Sequence, residues 1–217
     1  MKILIRILIL TLLLFSCQTD KVLQGTWIGV YSYSDKNPSL LPIRNLMTFD
    51  KSKFNSQGFW VDGYKEINGE YNSISKELKT NEVREELFIY VDKIEKITHD
   101  SLIIKTISEN GDEFGRRKVY KKINDSLKSK SNINLIGKKF IIKSEKNKDT
   151  IFFKNDSLLL NMASKSKVQY ERLNYNGFDI LFMSDDAPYV IYKQKDNKIY
   201  ALVFSLKVIE LELIEYE

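Results

Sequence analysis

The residues of this chain that could carry chemistry are few. Histidine and cysteine occur once each, as His99 and Cys17. His99 is followed by Asp100 and Ser101, but on a strand His99 and Ser101 share a face while Asp100 points away, which is not the geometry of a hydrolase triad. A single histidine and a single cysteine also leave no ligand set for the usual zinc sites. We therefore predict no catalytic residue, no metal and no cofactor, and a protein that is not an enzyme.

Oxygen ligands for calcium are best clustered at Asp185 and Asp186, within Ser184-Asp185-Asp186-Ala187-Pro188. A calcium loop spaces its ligands along about twelve residues, and this segment lacks that spacing. Asp, Ser and Pro are typical of turns, so we interpret the segment as a turn.

The first seventeen residues have the pattern of an export signal. Lys2 and Arg6 accompany an apolar run over residues 7–15, about half of the ~20 residues that a membrane-spanning helix needs. The run ends in Leu14-Phe15-Ser16-Cys17, which resembles the lipobox of bacterial lipoproteins. The resemblance implies that residues 1–16 are cleaved off and that Cys17 carries lipid, including palmitate, which attaches the protein to a membrane.

The residues after Cys17 bear on location. Gln18 stands where an aspartate would resemble the signal for retention in the inner membrane, so we expect a protein of the cell envelope, anchored in the outer membrane. Residues 17–21 form the lipidated tether, and its four residues 18–21 reach roughly 14 Å when extended. The folded part should therefore lie close to the lipid surface.

The net charge does not indicate a nucleic-acid partner. Loss of Lys2 and Arg6 with the signal lowers it from +5 to +3, and the remaining lysines alternate with acidic residues instead of forming one basic surface. We predict no nucleic-acid binding.

The mature chain has the pattern of an all-β protein. Short runs rich in aromatic and β-branched residues are separated by Asn, Asp, Ser, Lys and Gly, and the best helix candidate, residues 74–86, holds its period weakly. Residues 26–33 alternate with apolar residues on both faces, which predicts a strand covered on both sides. A polar segment at 124–134 is predicted to be a linker. We thus expect two small antiparallel domains, barrels or sandwiches, at 22–123 and 135–217.

The two halves begin alike. Leu23-Gln24-Gly25-Thr26-Trp27 and Leu135-Ile136-Gly137-Lys138-Lys139-Phe140 are both Leu-x-Gly openings of an aromatic-bearing strand, which suggests a distant duplication. The first opening is similar to the Gly-x-Trp strand of lipocalin-like (calycin) barrels. That resemblance implies a barrel closed by Trp27, with Arg116 or Arg117 packed across the indole ring, and an apolar ligand cavity. Phe140 replaces the tryptophan in the second half.

A repeated tripeptide, Asp followed by Ser or Thr and an aliphatic residue, occurs at Asp100, Asp125, Asp149 and Asp156. It resembles the acceptor motif for O-linked glycans on some exported proteins, and it is also a common turn before a strand. Ser126, in the predicted linker, is the candidate acceptor because it should be exposed.

These observations favour one function and leave two alternatives, of which the enzyme is the less favoured. The first is a non-enzymatic, membrane-anchored module that binds a small apolar ligand or an envelope protein. The second is a structural or inhibitory lipoprotein with filled barrels, and the third is a hydrolase. A cavity with a polar group at its mouth would favour the first, and a packed interior the second.

The anchor can be tested directly. Cys17→Ser removes the thiol that would carry the lipid, so the protein should leave the membrane fraction or accumulate with its signal attached. Fractionation with immunoblotting measures this. Unchanged membrane attachment of the variant would contradict the lipoprotein interpretation.

Overall fold

The computed structural model describes residues 22–35, 38–60, 63–80, 90–108, 115–129, 133–143, 148–184 and 186–216. Within these ranges the chain forms two closed antiparallel barrels of eight strands, one in each half. The all-β prediction and the expectation of two small barrel domains are confirmed. Among the described residues, no helix has the length and apolar character needed to cross a membrane.

The first barrel closes where its last strand pairs with its first. The register runs from Thr26 opposite Ile123 to Ser34 opposite Arg116. A two-residue strand and the strand after it both pair with the first strand, so together they act as one strand interrupted at Ile43 and Arg44. The strands are β1 (Gly25–Ser34), β2 (Leu41–Pro42), β3 (Asn45–Asp50), β4 (Lys53–Trp60), β5 (Gly63–Asn72), β6 (Glu77–Thr80), β7 (Tyr90–Ile97), β8 (Ser101–Ser108) and β9 (Arg116–Ile123).

Strand β1 is buried on both faces, as its apolar alternation predicts. Trp27 lies inside the barrel, whereas Ile28 and Val30 lie on its outer face. A bulge between Gly29 and Tyr31 shifts the alternation by one residue, because an extra residue in one strand reverses the faces that follow it.

Trp27 closes one end of the first barrel. Its side chain is 0% exposed, and its indole Nε1 donates a hydrogen bond of 2.8 Å to the carbonyl of Leu23, itself buried. Gly25, between them, has a φ of 113°, a conformation that only glycine adopts without strain. The Leu-x-Gly opening thus turns the chain from the end of the barrel into β1.

The helix candidate at 74–86 forms no helix in the residues that the structure describes. A turn leads from β5 into β6 at Glu77, and residues 81–86 lie outside the described ranges. In β5, Ile67, Gly69 and Tyr71 point inward and alternate with exposed polar residues. Pairing with β4 and β6 decides the structure of this segment, because the secondary-structure propensity of a short segment has less influence than its tertiary contacts.

The second barrel has the same strand number and is filled with side chains. Its core includes Phe140, Phe153, Tyr170, Leu181 and Ile191. Phe153 contacts Phe140 and Tyr170 edge to face, with ring centroids 5.8 and 5.2 Å apart. The strands are β10 (Lys139–Lys143), β11 (Lys148–Phe153), β12 (Leu158–Asn161), β13 (Lys167–Tyr175), β14 (Phe178–Met183), β15 (Tyr189–Lys195), β16 (Lys198–Phe204) and β17 (Val208–Tyr216).

The second barrel opens in the same way as the first. Leu135 is buried at its end, Gly137 has a φ of 77°, and Phe140 is 0% exposed inside the barrel. These residues take the places that Leu23, Gly25 and Trp27 take in the first barrel. Both barrels thus begin with a buried leucine, a glycine of positive φ and a buried aromatic residue. This similarity agrees with a duplication, which stays a prediction.

The barrels pack against each other through a third apolar cluster, here called the shared cluster. It consists of Ile28, Val30, Leu46 and Ile123 from the first barrel and Phe178, Ile180, Phe182, Val190 and Phe204 from the second. At its edge, Arg44 and Glu171 form an ion pair of 2.6 Å across the two barrels. The two domains therefore share a buried core as well as a chain connection.

The predicted linker is partly built into this structure. Asp125–Leu127 form one 3-10 turn, and Leu127 packs against the shared cluster. Ile133, which lies within the predicted linker, is only 2% exposed and belongs to the core of the second barrel. Its apolar side chain fills the end of that barrel, so the boundary of the linker must lie before it.

Trp27→Ala tests the closing role of the indole. The change leaves a large void in a buried site and should lower the free energy of unfolding by about 3–5 kcal/mol. Because Ile28, the next residue, lies in the shared cluster, we expect both barrels to lose stability in one transition. Guanidinium unfolding followed by far-UV circular dichroism measures this.

Ile74→Ala is the control for this experiment, since Ile74 is 93% exposed. Its unfolding midpoint should match that of the parent. Equal stability of Trp27→Ala and the parent would show that the indole does not close a core.

Candidate binding cavity in the first barrel

The interior of the first barrel contains a cavity of about 290 Å³, which extends from Met47 and Phe54, close to Trp27, to Ser32 and Arg116. One wall is apolar and is formed by Met47, Phe54, Ile67 and Leu78. The other wall is polar and is formed by Ser32, Asn45, Ser56, Thr80, Asp92, Arg116, Lys118 and Tyr120. The cavity thus offers both an apolar surface and hydrogen-bonding groups, which is the usual character of a small-molecule site.

Asn45 is the most informative residue of the polar wall. It is 7% exposed, and its amide Nδ2 donates to the hydroxyl oxygens of Ser56 at 3.1 Å and Tyr120 at 3.5 Å. Its Oδ1 is buried with no hydrogen-bond partner among the described residues. A buried amide oxygen without a partner is costly, so a donor group that reached this atom would be favoured.

Two glycines make room for Asn45. A Cβ atom at Gly29 would come within 2.7 Å of Asn45 Oδ1, and one at Gly58 would come within 2.4 Å of Asn45 Cβ. Real Cβ atoms do not approach other heavy atoms so closely, so neither position accepts a side chain without displacing Asn45. The amide is therefore held in a place formed by strands β1 and β4.

The charges on the polar wall are unequally compensated. Lys118 forms an ion pair of 2.9 Å with Asp92, which also accepts a hydrogen bond from Thr106. Arg116 lies exposed at the mouth and donates to the Ser32 hydroxyl at 3.1 Å. Among the described residues, no carboxylate lies within ion-pair distance of Arg116, so its positive charge faces the mouth of the cavity.

Tyr120 is a neutral member of this wall. Burial raises the pKa of its phenol, because the charged phenolate would be removed from water. The hydroxyl therefore stays protonated at neutral pH and can donate a hydrogen bond within the cavity.

The arginine contact predicted for Trp27 is wrong. Arg116 and Arg117 pair with Ser34 and Tyr33 in the register of β1 and β9, whereas Lys122 lies directly opposite Trp27. The cation over the indole is accordingly the ammonium of Lys122, 5.2 Å from the ring centroid. Six residues of strand, about 20 Å, separate Arg116 from that position.

Each arginine has another role. Arg116 lies at the cavity mouth, as described above. Arg117 points outward, donates to Glu95 at 2.7 Å and to Asp35 at 2.5 Å, and has a pKa raised by the hydrogen bonds to these two carboxylates.

The other predicted site residues are spread over the molecule. Cys17 lies outside the described residues, so its lipidation stays a prediction. Ser126 is exposed in the 3-10 turn, and its glycosylation also stays a prediction. His99 lies in the β7–β8 turn with its side chain 90% exposed. Asp185 is also outside the described residues, while Asp186 accepts hydrogen bonds from the Ala187 amide and the Tyr189 hydroxyl.

A second concavity, of about 320 Å³, lies at the end of the second barrel beside Ile133 and Leu135. Two of its polar side chains, Arg172 and Tyr170, already have partners. Arg172 donates to Asp179 at 2.6 Å and to the Ile133 carbonyl at 2.7 Å, and the Tyr170 hydroxyl donates to the Asn155 carbonyl. The smaller cavity of the first barrel is the better candidate because one of its buried polar atoms lacks a partner.

Sequence reasoning missed Asn45 and Lys118 in the cavity wall and Lys122 over the Trp27 ring. A signal for β9 was present, because Arg116, Lys118, Tyr120 and Lys122 follow the period of two that places residues on one face of a strand. No comparable signal marked Asn45, since a polar residue directly before an apolar run has the pattern of a turn.

Comparison with protein-family models and with curated proteins finds no match to this chain. The candidate site is therefore defined by its geometry alone.

The lysine assigned to Trp27 can be tested by a double-mutant cycle. Lys122→Met keeps most of the side-chain stem and removes the charge, so it should couple with Trp27→Leu by about 0.5–1 kcal/mol in the free energy of unfolding. Lys121→Met, on the adjacent residue, is the matched control and should show no coupling. Coupling of Trp27 to Arg116, and not to Lys122, would restore the arginine assignment.

Proposed function

We propose that this protein is a non-enzymatic binding module, held on the envelope membrane by lipid at Cys17, that takes a small molecule into its first barrel. The observation that carries the proposal is the buried and unpartnered Oδ1 of Asn45 in the wall of a 290 Å³ cavity. The lipobox-like sequence supports the anchor, and the lipocalin-like opening of the first barrel is in keeping with a ligand cavity.

The chemistry of the wall defines the ligand more closely than the sequence did. An apolar body would contact Met47, Phe54 and Ile67, while a hydroxyl or amine would donate to Asn45 Oδ1. An acidic group would pair with Arg116, which has no carboxylate partner among the described residues. We therefore propose a small amphiphile with a polar or anionic end, in place of the purely apolar ligand expected from the family resemblance.

The alternative of a structural or inhibitory protein with filled barrels is favoured by one observation. The second barrel has a packed aromatic and aliphatic core and no unpartnered polar atom in the part of its interior that the structure describes. We propose that this barrel supports the first one through the shared cluster and presents an outer surface to an envelope partner.

Octanoate is a suitable probe because it joins an apolar chain to a carboxylate. We expect it to shift amide resonances of cavity residues in two-dimensional NMR spectra of the protein. Arg116→Gln should weaken its binding by roughly tenfold, since a charge-assisted hydrogen bond is lost. Arg117→Gln is the matched control and should leave the affinity unchanged, because Arg117 points outward.

The role of Asn45 calls for a second probe, 1-octanol, whose hydroxyl can donate to Oδ1. Asn45→Leu should weaken its binding and change the free energy of unfolding by less than about 1.5 kcal/mol, because two hydrogen bonds are lost together with one unpartnered atom. Absence of cavity shifts with both octanoate and 1-octanol would contradict small-molecule binding in the first barrel.

A further inference from the structure

The start of β1 and the mouth of the cavity lie at opposite ends of the first barrel. Leu23 and Trp27 close the end where the N-terminal segment joins β1, here called the closed end. Because the strands are antiparallel, the β3–β4, β5–β6 and β7–β8 turns lie at the closed end as well. Ser34, Leu41 and Arg116 lie at the other end, which holds the mouth.

The length of the tether limits which end can meet the lipid. Strand β1 has ten residues, and in a tilted barrel strand these span about 25 Å along the axis. Residues 18–21, between Cys17 and the first described residue Val22, reach at most roughly 14 Å. The closed end is therefore always within reach of the anchoring membrane, whereas the mouth reaches it only if the barrel lies on its side.

The side chains of the closed end suit an anionic lipid surface. Ile74, at the β5–β6 turn, is 93% exposed, and Lys51, Lys53 and Lys76 are exposed in the turns around it. Lysines at the headgroup level attract anionic lipids, and a single exposed apolar side chain can insert at the interface. The acidic residues at this end are Asp50, Glu70, Glu77 and Asp100. Glu70 lies opposite Lys53, Asp100 accepts a hydrogen bond from Thr98, and Glu77 pairs with Lys93.

We propose that the first barrel stands end-on on the membrane that holds Cys17, with the closed-end turns against anionic head groups and the cavity mouth toward the aqueous phase. This orientation rests on the lipid anchor of the proposed function. Its consequence is that a ligand exchanges with the aqueous compartment and does not enter sideways from the bilayer.

The single cysteine of the chain makes the orientation measurable. With Cys17 blocked by lipid, Ile74→Cys supplies the one free thiol for an environment-sensitive fluorophore on the full lipidated protein. Leu41→Cys, at the mouth, supplies the matched position, and Leu41 is also an exposed apolar residue. Both proteins are reconstituted into vesicles that contain phosphatidylglycerol and lipids with a quencher in the headgroup region.

We expect the fluorophore at position 74 to be quenched roughly twofold or more over the one at position 41, with a blue-shifted emission. Stronger quenching at position 41, or equal weak quenching at both positions in protein that floats with the vesicles, would overturn the orientation and leave the anchor intact. Protein that does not float with the vesicles would overturn the anchor, and with it the orientation.

A charge variant tests the lysines separately. Lys51→Glu combined with Lys76→Glu should reduce quenching at position 74, and more so at low salt, because the attraction to phosphatidylglycerol is lost. The control is Lys165→Glu combined with Lys207→Glu, on exposed turns of the second barrel, and it should leave quenching unchanged. Lys165 matches the tested lysines in backbone conformation, since its φ is 56° and those of Lys51 and Lys76 are 54° and 57°. Equal effects of the two pairs would contradict a specific role for the closed end.

Discussion

The burial of β1 on both faces is the constraint on which the rest of the structure depends. Trp27 fills the closed end of the first barrel, and its neighbour Ile28 fills the shared cluster, so one strand supplies two cores. Period-two alternation makes this possible, because successive side chains of a strand point in opposite directions. The two barrels are thereby held together through a common apolar surface as well as through the chain.

This arrangement explains why the two barrels differ inside. The second barrel packs its interior with Phe140, Phe153 and Tyr170. In the first, Gly29 and Gly58 take positions where larger side chains would fill the space, and the polar Asn45 occupies it instead. The first barrel therefore gives up apolar burial around its cavity, while Ile28 and Val30 on the outer face of β1 are buried against the second barrel.

The polar wall is organised by hydrogen bonds that run from strand to strand. Asn45 on β3 reaches Ser56 on β4 and Tyr120 on β9, and Arg116 on β9 reaches Ser32 on β1. These contacts fix the donors and acceptors around the cavity, and this order would lower the entropy cost of binding the proposed ligand. The unpartnered Asn45 oxygen is the point at which this network remains open.

The sequence by itself determined the fold class, the division into two halves and the nature of the strands in the second barrel. Residues 178–183 and 189–192, for example, have apolar runs long enough to be recognised as buried strands without any partner. Strand β5 has no such run, because Gly63–Asn72 is mostly polar and carries only Ile67, Gly69 and Tyr71 toward the core. The pattern of apolar residues along a segment indicates how much of it is buried, and too few residues of this strand are buried to give a clear pattern.

Tertiary structure alone decided the site. Which cation lies over Trp27 follows from the register between β1 and β9, and register is a property of a strand pair that no single segment encodes. The cavity likewise depends on Asn45, Ser56 and Tyr120 from three strands meeting in one interior. The sequence contained the residue types for both features, but their distances exist only once the barrel closes.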